Sequence, residues 1–193
     1  MINEEDLQLE IEAAIEILGE GGVILYPTDT IWGIGCDATN EKAVERVYEI
    51  KKRSDSKSLI TLVSDVDMLY RYVKEVPEMA TSLIEVNDKP MTIIYPQGIN
   101  LAGNVIAEDG SVGIRIPMNE FCVKLTKRFG KPIISTSANI SGEDAPVSFE
   151  DINAEIFDAV DWTADPCLEE GASGKPSQII KIGLSGEVKI LRQ

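Results

Sequence analysis

Four cations lie within seven residues, at Lys51, Lys52, Arg53 and Lys57, in a chain whose formal net charge is -15. A chain this acidic would repel a nucleic-acid backbone over most of its surface. The basic cluster therefore favours a small anionic ligand such as a nucleotide triphosphate. Arg53 supplies a bidentate fork and each lysine supplies a point charge, a mixture that suits phosphate oxygens. The alternative is a solvated helix end, where cations interact favourably with the C-terminal dipole.

Arg115 is a second candidate for anion binding. It lies in the alternating stretch 111–117, where apolar residues on one face alternate with Ser111, Gly113 and Arg115 on the other. A buried arginine needs an anionic partner. That partner is either a structural carboxylate, of which the chain has 33 to choose from, or an anionic ligand.

Three polar residues follow an apolar pair further along the chain. Ser135, Ser137 and Asn139 share one side of the segment if it is extended, and they could donate to phosphate or accept from ribose and amine groups. A polar loop that leads to a helix N-cap near Ser141 is the other interpretation.

The segment Thr28-Asp29-Thr30 comes directly after a buried strand. Asp and Thr in turns commonly hydrogen-bond their own backbone, so turn chemistry is the favoured interpretation of this segment by itself.

The chain contains no histidine, which excludes several kinds of active site. It cannot build a Ser-His-Asp triad, a Cys-His pair or a histidine-based zinc centre. We expect an enzyme of this composition to work by positioning, by electrostatic stabilisation, or with a substrate that supplies its own nucleophile, as in phosphoryl or nucleotidyl transfer. Cys36, Cys122 and Cys167 are odd in number and widely spaced, so we expect reduced thiols and no disulfide framework.

Length and hydropathy indicate a single globular domain. The 193 residues are 44% hydrophobic, and no apolar run approaches the roughly 20 residues that span a bilayer. The N-terminus opens with acidic residues and shows no signal segment, so we expect a soluble, cytoplasmic protein.

Periodicity predicts a mixture of helices and strands without strict alternation. Helices are predicted over 7–18, 41–52, 68–86 with a break at Pro77, and 120–129, and strands over 23–26, 58–63, 91–95, 111–117, 133–134 and twice within 177–191. The expected fold is α/β or α+β, with a twisted, mixed β-sheet flanked by helices.

Together these motifs resemble the YrdC-like family of threonylcarbamoyl-AMP synthases, in the YrdC/YciO superfamily, and the likeness covers nearly the whole chain. The matching blocks are 21–30, 33–38, 113–117 and 135–142, with the pairs Lys51-x-Arg53 and Ser137-x-Asn139.

The resemblance implies one YrdC-like domain over 1–193, with no additional C-terminal domain, around a large concave, positively lined cavity. It implies an enzyme that joins L-threonine, bicarbonate and ATP into threonylcarbamoyl-AMP and pyrophosphate. The product would pass to a separate transferase complex for N6-threonylcarbamoyladenosine modification of tRNA. The acidic balance, with 18 cations against 33 carboxylates, leads us to expect that direct RNA binding is weak or absent.

The resemblance also implies roles for particular residues. Thr30 would contact threonine and Arg115 its carboxylate, while Lys51 and Arg53 would be catalytic. Magnesium would be held mainly by phosphates, without a protein metal site. The nucleotide-binding set would comprise Lys51, Arg53, Lys57, Ser111, Ser135, Ser137, Asn139 and Arg192.

The chain departs from the family pattern at three points, namely 57–59, 88–90 and 177–181. The last change removes a Thr and an Asp, which weakens the expectation of ATP contacts from the C-terminal segment. The alternatives are a YciO-like paralogue with another small substrate and a double-stranded-RNA or tRNA-binding module. A purely structural role would require these polar side chains to be dispersed in the fold.

Overall fold

The computed structural model describes residues 2–52 and 59–193. Within those ranges the helices are α1 Glu4–Gly19, α2 Glu41–Ile50, α3 Val66–Tyr72, α4 Glu78–Val86, α5 Glu120–Phe129 and α6 Ala154–Ala159. The strands are β1 Ile24–Pro27, β2 Trp32–Gly35, β3 Ile60–Leu62, β4 Met91–Tyr95, β5 Val112–Arg115, β6 Ile133–Ser137, β7 Trp162–Thr163, β8 Gln178–Ile182 and β9 Val188–Arg192. Two short 3₁₀ helices cover Phe149–Asp151 and Pro166–Glu169.

The strands of the described residues form one nine-stranded sheet in the order β7-β1-β2-β6-β3-β5-β4-β8-β9. The pairs β1–β7, β3–β5 and β4–β8 are parallel, and the remaining neighbours are antiparallel. The predicted mixed α/β architecture is therefore confirmed. None of the described helices is long and apolar enough to cross a membrane.

The helix boundaries follow local sequence signals. Asn3, Asn40 and Asn119 each cap a helix by accepting a backbone N–H in the first turn. Helix α5 ends at Gly130, which adopts the left-handed conformation (φ 74°) that glycine reaches without a Cβ clash. The helix predicted over 68–86 is indeed divided at Pro77, into α3 and α4.

Several predicted boundaries were wrong or incomplete. Helix α2 ends at Ile50 rather than at residue 52, and no helix begins at Ser141. Strand β6 extends through Ser137, so the polar residues after Ile134 are partly within the sheet. Strands β2 and β7 and helix α6 were not predicted, because each is short and lacks a full period.

The sheet separates two faces with different chemistry. Ile93 pairs with Ile114, and both point to the face that Leu69 of α3 and Ile84 of α4 cover. Because side chains alternate along a strand, Arg115 points to the opposite face. The alternation predicted for 111–117 is therefore confirmed in β5, and it directs one arginine away from the apolar side.

Candidate active site

The turn between β1 and β2 is held by its own hydroxyls. The Thr28 hydroxyl donates to the carbonyl oxygen of Ile31 at 2.8 Å and accepts the N–H of Thr30 at 3.1 Å. The Thr28 and Thr30 Oγ1 atoms lie 2.7 Å apart. The turn chemistry predicted for this segment is present, and it holds the buried Thr30 hydroxyl in one orientation.

Arg115 is 4% exposed and reaches this turn from the end of β5. Its Nη1 donates to Thr30 Oγ1 at 2.9 Å, and its Nη2 lies 2.6 Å from Asp29 Oδ1. The second contact is an ion pair without hydrogen-bond alignment, because Nη2, Nε and both carboxylate oxygens of Asp29 are buried without a well-directed partner. The guanidinium therefore has a counter-charge but retains unsatisfied donors.

Arg115 lines a cleft of about 360 Å³ on this face of the sheet. The strand register explains the convergence, since Gly33 is paired with Ser137 and Ile60 with Ser135. The lining residues are Thr28, Thr30, Ile31, Trp32, Gly33, Ile60, Arg115, Ser135, Thr136, Ser137, Asn139, Glu143, Ala145, Pro176, Ser177, Ile179 and Arg192. Hydroxyls, amides and two arginines thus dominate the polar part of the wall.

Lys51 lies beneath the Ser137–Asn139 segment and is 3% exposed. Its ammonium donates to the carbonyl oxygen of Ser137 at 2.5 Å, to that of Asn139 at 2.8 Å and to Asn139 Oδ1 at 3.4 Å. The carbonyl oxygen of Lys51 accepts the N–H of Ser141 at 2.9 Å. Lys51 of the first predicted pair therefore meets the second pair in space and supports the wall to which Ser137 and Asn139 belong.

Arg192 enters the cleft from the last strand. Its Nε donates to the carbonyl oxygen of Ser177 at 2.8 Å, and the Ser177 hydroxyl lies 2.8 Å from Thr92 Oγ1. Burial lowers the pKa of Arg192, and the positive charge of Arg115 lowers it further. Two cations thus act on the same cleft, which increases its attraction for an anion.

Ser111 is placed elsewhere. Its hydroxyl donates to Asp109 Oδ1 at 2.5 Å, and Asp109 also pairs with Lys181 at 2.9 Å. Ser111 is not among the cleft-lining residues, although it precedes β5 directly. Arg53 and Lys57 lie outside the described residues.

Sequence reasoning missed several parts of the cleft. Trp32 lines it from β2, and its indole N–H donates to Glu169, whose Oε2 also accepts the N–H of Phe149 at 2.8 Å. Ser177 lines it too, within the segment that departs from the family pattern. Only the Trp-Gly-x-Gly spacing of β2 could have signalled that strand, whereas Glu169 is 137 residues from Trp32.

Few metal-ligating side chains line the described part of this cleft. No group of three or more Cys, Asp or Glu side chains able to hold a metal ion occurs in the described part of the chain. Among the described lining residues, Glu143 supplies the one carboxylate, and it is exposed.

These features define a class of protein: a mixed α/β domain that binds a small anionic substrate in a cleft formed by strand ends and a capping turn. A sequence model of the family described as "Telomere recombination", with the label Sua5/YciO/YrdC, matches residues 16–193. The chain belongs to this family.

Individual relatives agree with that membership. A threonylcarbamoyl-AMP synthase of Pseudoalteromonas translucida is 32% identical over 184 residues, which cover 94% of this chain and 97% of the relative. P. abyssi Sua5, crystallised with L-threonine, superposes with a TM-score of 0.82 at 28% identity, over 94% of this chain and 53% of that one. E. coli YciO gives a TM-score of 0.82 at 26% identity, over 97% and 89% of the two chains.

Proposed function

We propose that this chain is a threonylcarbamoyl-AMP synthase, which converts L-threonine, bicarbonate and ATP into threonylcarbamoyl-AMP and pyrophosphate. The observation that carries the proposal is the buried Arg115 guanidinium, which has unsatisfied donors on the wall of a hydroxyl-rich cleft. The curated relative of that name and the threonine-bound Sua5 structure support it.

In this proposal the threonine end of the cleft is formed by Arg115 and Thr30. A guanidinium matches a carboxylate in shape and charge, and Arg115 keeps Nε and Nη2 without well-directed partners. The α-carboxylate of threonine would bind this guanidinium from the cleft that Arg115 lines. Thr30 would orient the guanidinium through its 2.9 Å contact with Nη1 and contact the amino acid.

The nucleotide end would be formed by Ser135, Ser137, Asn139 and Arg192, which share the same cleft. Hydroxyl and amide groups can donate to phosphate or accept from ribose hydroxyls. Lys51 would hold the Ser137–Asn139 segment in place. By the family resemblance, Arg53 and Lys57 would face the triphosphate, and magnesium would be carried on phosphate oxygens.

The absence of histidine suits this chemistry, because the substrates supply the nucleophiles. The threonine amine, once deprotonated, attacks carbon dioxide derived from bicarbonate to give a carbamate. A carbamate oxygen then attacks the α-phosphorus of ATP, and the bond to the β,γ-pyrophosphate breaks. The protein aligns the reactants and stabilises the negative charge that develops on pyrophosphate.

The test is pyrophosphate release from ATP and magnesium, with L-threonine and bicarbonate each omitted in turn. We expect pyrophosphate release to require both co-substrates and to be abolished in Arg115→Ala. ATP binding without threonine-dependent release would instead favour a paralogue that acts on another small substrate, the alternative favoured by the YciO likeness. A cytoplasmic synthase would pass its product to a separate tRNA-modifying transferase, so purified synthase alone should leave tRNA unmodified.

Salt dependence tests the RNA-binding alternative. Backbone binding by a protein weakens steeply as salt rises, because counterions are released from the nucleic acid. A nucleotide held in a partly buried cleft is screened much less. We expect ATP affinity to change little between low and moderate salt, and tRNA to bind weakly at both.

A further inference from the structure

The pair Asp29–Arg115, in which both side chains are buried, differs from Asp37–Lys131, in which the aspartate is buried but Lys131 is 48% exposed. Both have an N···O distance of 2.6 Å, and the two aspartates are 10% and 6% exposed. The Asp37 carboxylate is fully engaged, since it also accepts the N–H of Thr39 at 2.8 Å and its hydroxyl at 2.6 Å. Neither oxygen of Asp29 has a well-directed hydrogen bond.

A buried ion pair is stable only when additional hydrogen bonds satisfy the remaining donors and acceptors. In the Asp29–Arg115 pair, Nη1 has its hydrogen bond to Thr30, but Nε, Nη2 and both carboxylate oxygens lack a well-directed one. Such a pair is poorly explained as a structural bridge. Its unused donors belong to a residue that lines the cleft, which indicates that a ligand completes the arrangement.

The position of Asp29 limits how it can act. Asp29 lies on the far side of the Thr28–Thr30 turn, where it lines a second cavity, and it is absent from the lining of the main cleft. Its backbone carbonyl oxygen accepts the N–H of Ser173 at 3.1 Å, which keeps the turn in place. Asp29 therefore acts on the cleft through the Arg115 guanidinium and through its charge.

We propose that Asp29 is a positioning and specificity residue that orients the Arg115 guanidinium and balances its charge. As a result, the cleft binds a zwitterionic amino acid in preference to a simple carboxylate anion. This inference rests on the proposed function and identifies the charge state of the substrate at that site. The α-carboxylate meets the guanidinium, while the nearby negative charge of Asp29 favours the α-ammonium group of the incoming amino acid. A carboxylate monoanion of the same shape has no ammonium group, so it gains no favourable interaction with the negative charge of Asp29.

The experiment compares the binding of L-threonine with that of 3-hydroxybutanoate, the same carbon skeleton without the amine, by titration calorimetry. Wild-type protein is expected to bind threonine more tightly. In Asp29→Asn that preference should shrink by about tenfold or more, as expected for the loss of the unit charge that lies against the Arg115 guanidinium. Asp37→Asn, the matched control, removes a buried carboxylate remote from the cleft and should leave the preference unchanged.

The double variant Asp29→Asn/Arg115→Gln covers the case in which Asp29→Asn alone does not fold. Because it removes both charges, it should unfold at a higher temperature than Asp29→Asn, which leaves the arginine buried and unpaired. A double variant no more stable than the single one would overturn the inference.

The remaining outcomes separate the two hypotheses. Threonine-dependent pyrophosphate release by the wild type, with an unchanged preference in Asp29→Asn, would overturn the role of Asp29 and leave the proposed function intact. A wild type that binds threonine no better than 3-hydroxybutanoate would also overturn it. A wild type that neither binds threonine nor releases pyrophosphate would overturn both.

Discussion

The ammonium of Lys51 lies 2.8 Å from the carbonyl oxygen of Asn139 and 3.4 Å from its Oδ1, and so joins the end of α2 to the loop after β6. Lys51 therefore has a structural role within the site, independent of any contact with the nucleotide. The finding connects two sequence motifs that are 88 residues apart. It also makes the position of Asn139 dependent on Lys51.

Replacing Lys51 with Met should therefore reduce both stability and ATP affinity. The change leaves partly buried carbonyl oxygens without a donor, which costs about 1–3 kcal/mol in the free energy of unfolding. Urea denaturation and calorimetric titration with ATP would measure the two effects. Lys52→Met is the matched control, because Lys52 is 61% exposed and pairs with Glu155 at the surface. Equal losses in both variants would contradict this role of Lys51.

Thr30 offers a second test, in which shape and hydrogen bonding can be separated. Thr30→Val keeps the shape but leaves Arg115 Nη1 without its 2.9 Å acceptor, whereas Thr30→Ser keeps the hydroxyl. We expect the KM for threonine to rise about tenfold in Thr30→Val, the cost of one hydrogen bond to a charged group. Thr30→Ser should stay close to wild type in a steady-state assay of pyrophosphate release. A larger effect from serine than from valine would show that the methyl group matters instead.

Two strand glycines on the same face of the sheet should tolerate substitution differently. A Cβ at Gly35 would clash with the carbonyl oxygen of Ile134 and lie 2.7 Å from Tyr26 Cε1. A Cβ at Gly113 would lie 3.6 Å from Thr92 Cγ2, an ordinary contact. Gly35→Ala should thus lower the free energy of unfolding by about 1–3 kcal/mol, and Gly113→Ala by clearly less. Thermal unfolding of the two variants measures the difference, and similar melting temperatures would refute it.

The three cysteines should differ in their reactivity towards an alkylating reagent and in the pH dependence of that reactivity. Burial raises the pKa of Cys36 and of Cys122 far above the usual thiol value, while a hydrogen bond with Asp165 is the main cause that raises the pKa of the exposed Cys167 to about 11. Only Cys167 should react with iodoacetamide in the native protein. Because the thiolate is the nucleophile, its rate should keep rising as pH increases towards about 11.

Mass spectrometry of the labelled protein would identify the modified residue. Cys36 and Cys122 should become reactive only after denaturation, which serves as the positive control for labelling. A plateau of the Cys167 rate near pH 8.5, the value of a free thiol, would contradict the effect of Asp165.

Local patterns predicted much of the fold. The spacing of apolar residues located α5 over 120–129 and the strand 91–95, and both elements have those bounds in the structure. These predictions succeeded because helix and strand periods depend on short-range backbone geometry. Short elements such as β7 carry too few residues to show a period, and they form only because β1 supplies a partner.

The candidate site was predictable in its residue types and only partly in its geometry. Thr30, Arg115, Ser135, Ser137, Asn139 and Arg192 line one cleft, as the motifs suggested. Ser111 shares the alternation of Arg115 but bonds to Asp109 instead, since it precedes the strand and faces a local turn. The predictions for Arg53 and Lys57 fall on residues that the structure does not describe and remain predictions.

The sequence by itself determined the class of chemistry and the main elements, because composition and periodicity are local properties of the chain. Without histidine, a histidine general base or a histidine-containing triad is excluded. Only the tertiary structure decided that Asp29, rather than any other of the 33 acidic residues, lies against Arg115. That contact depends on the order and register of distant strands, which no local pattern encodes.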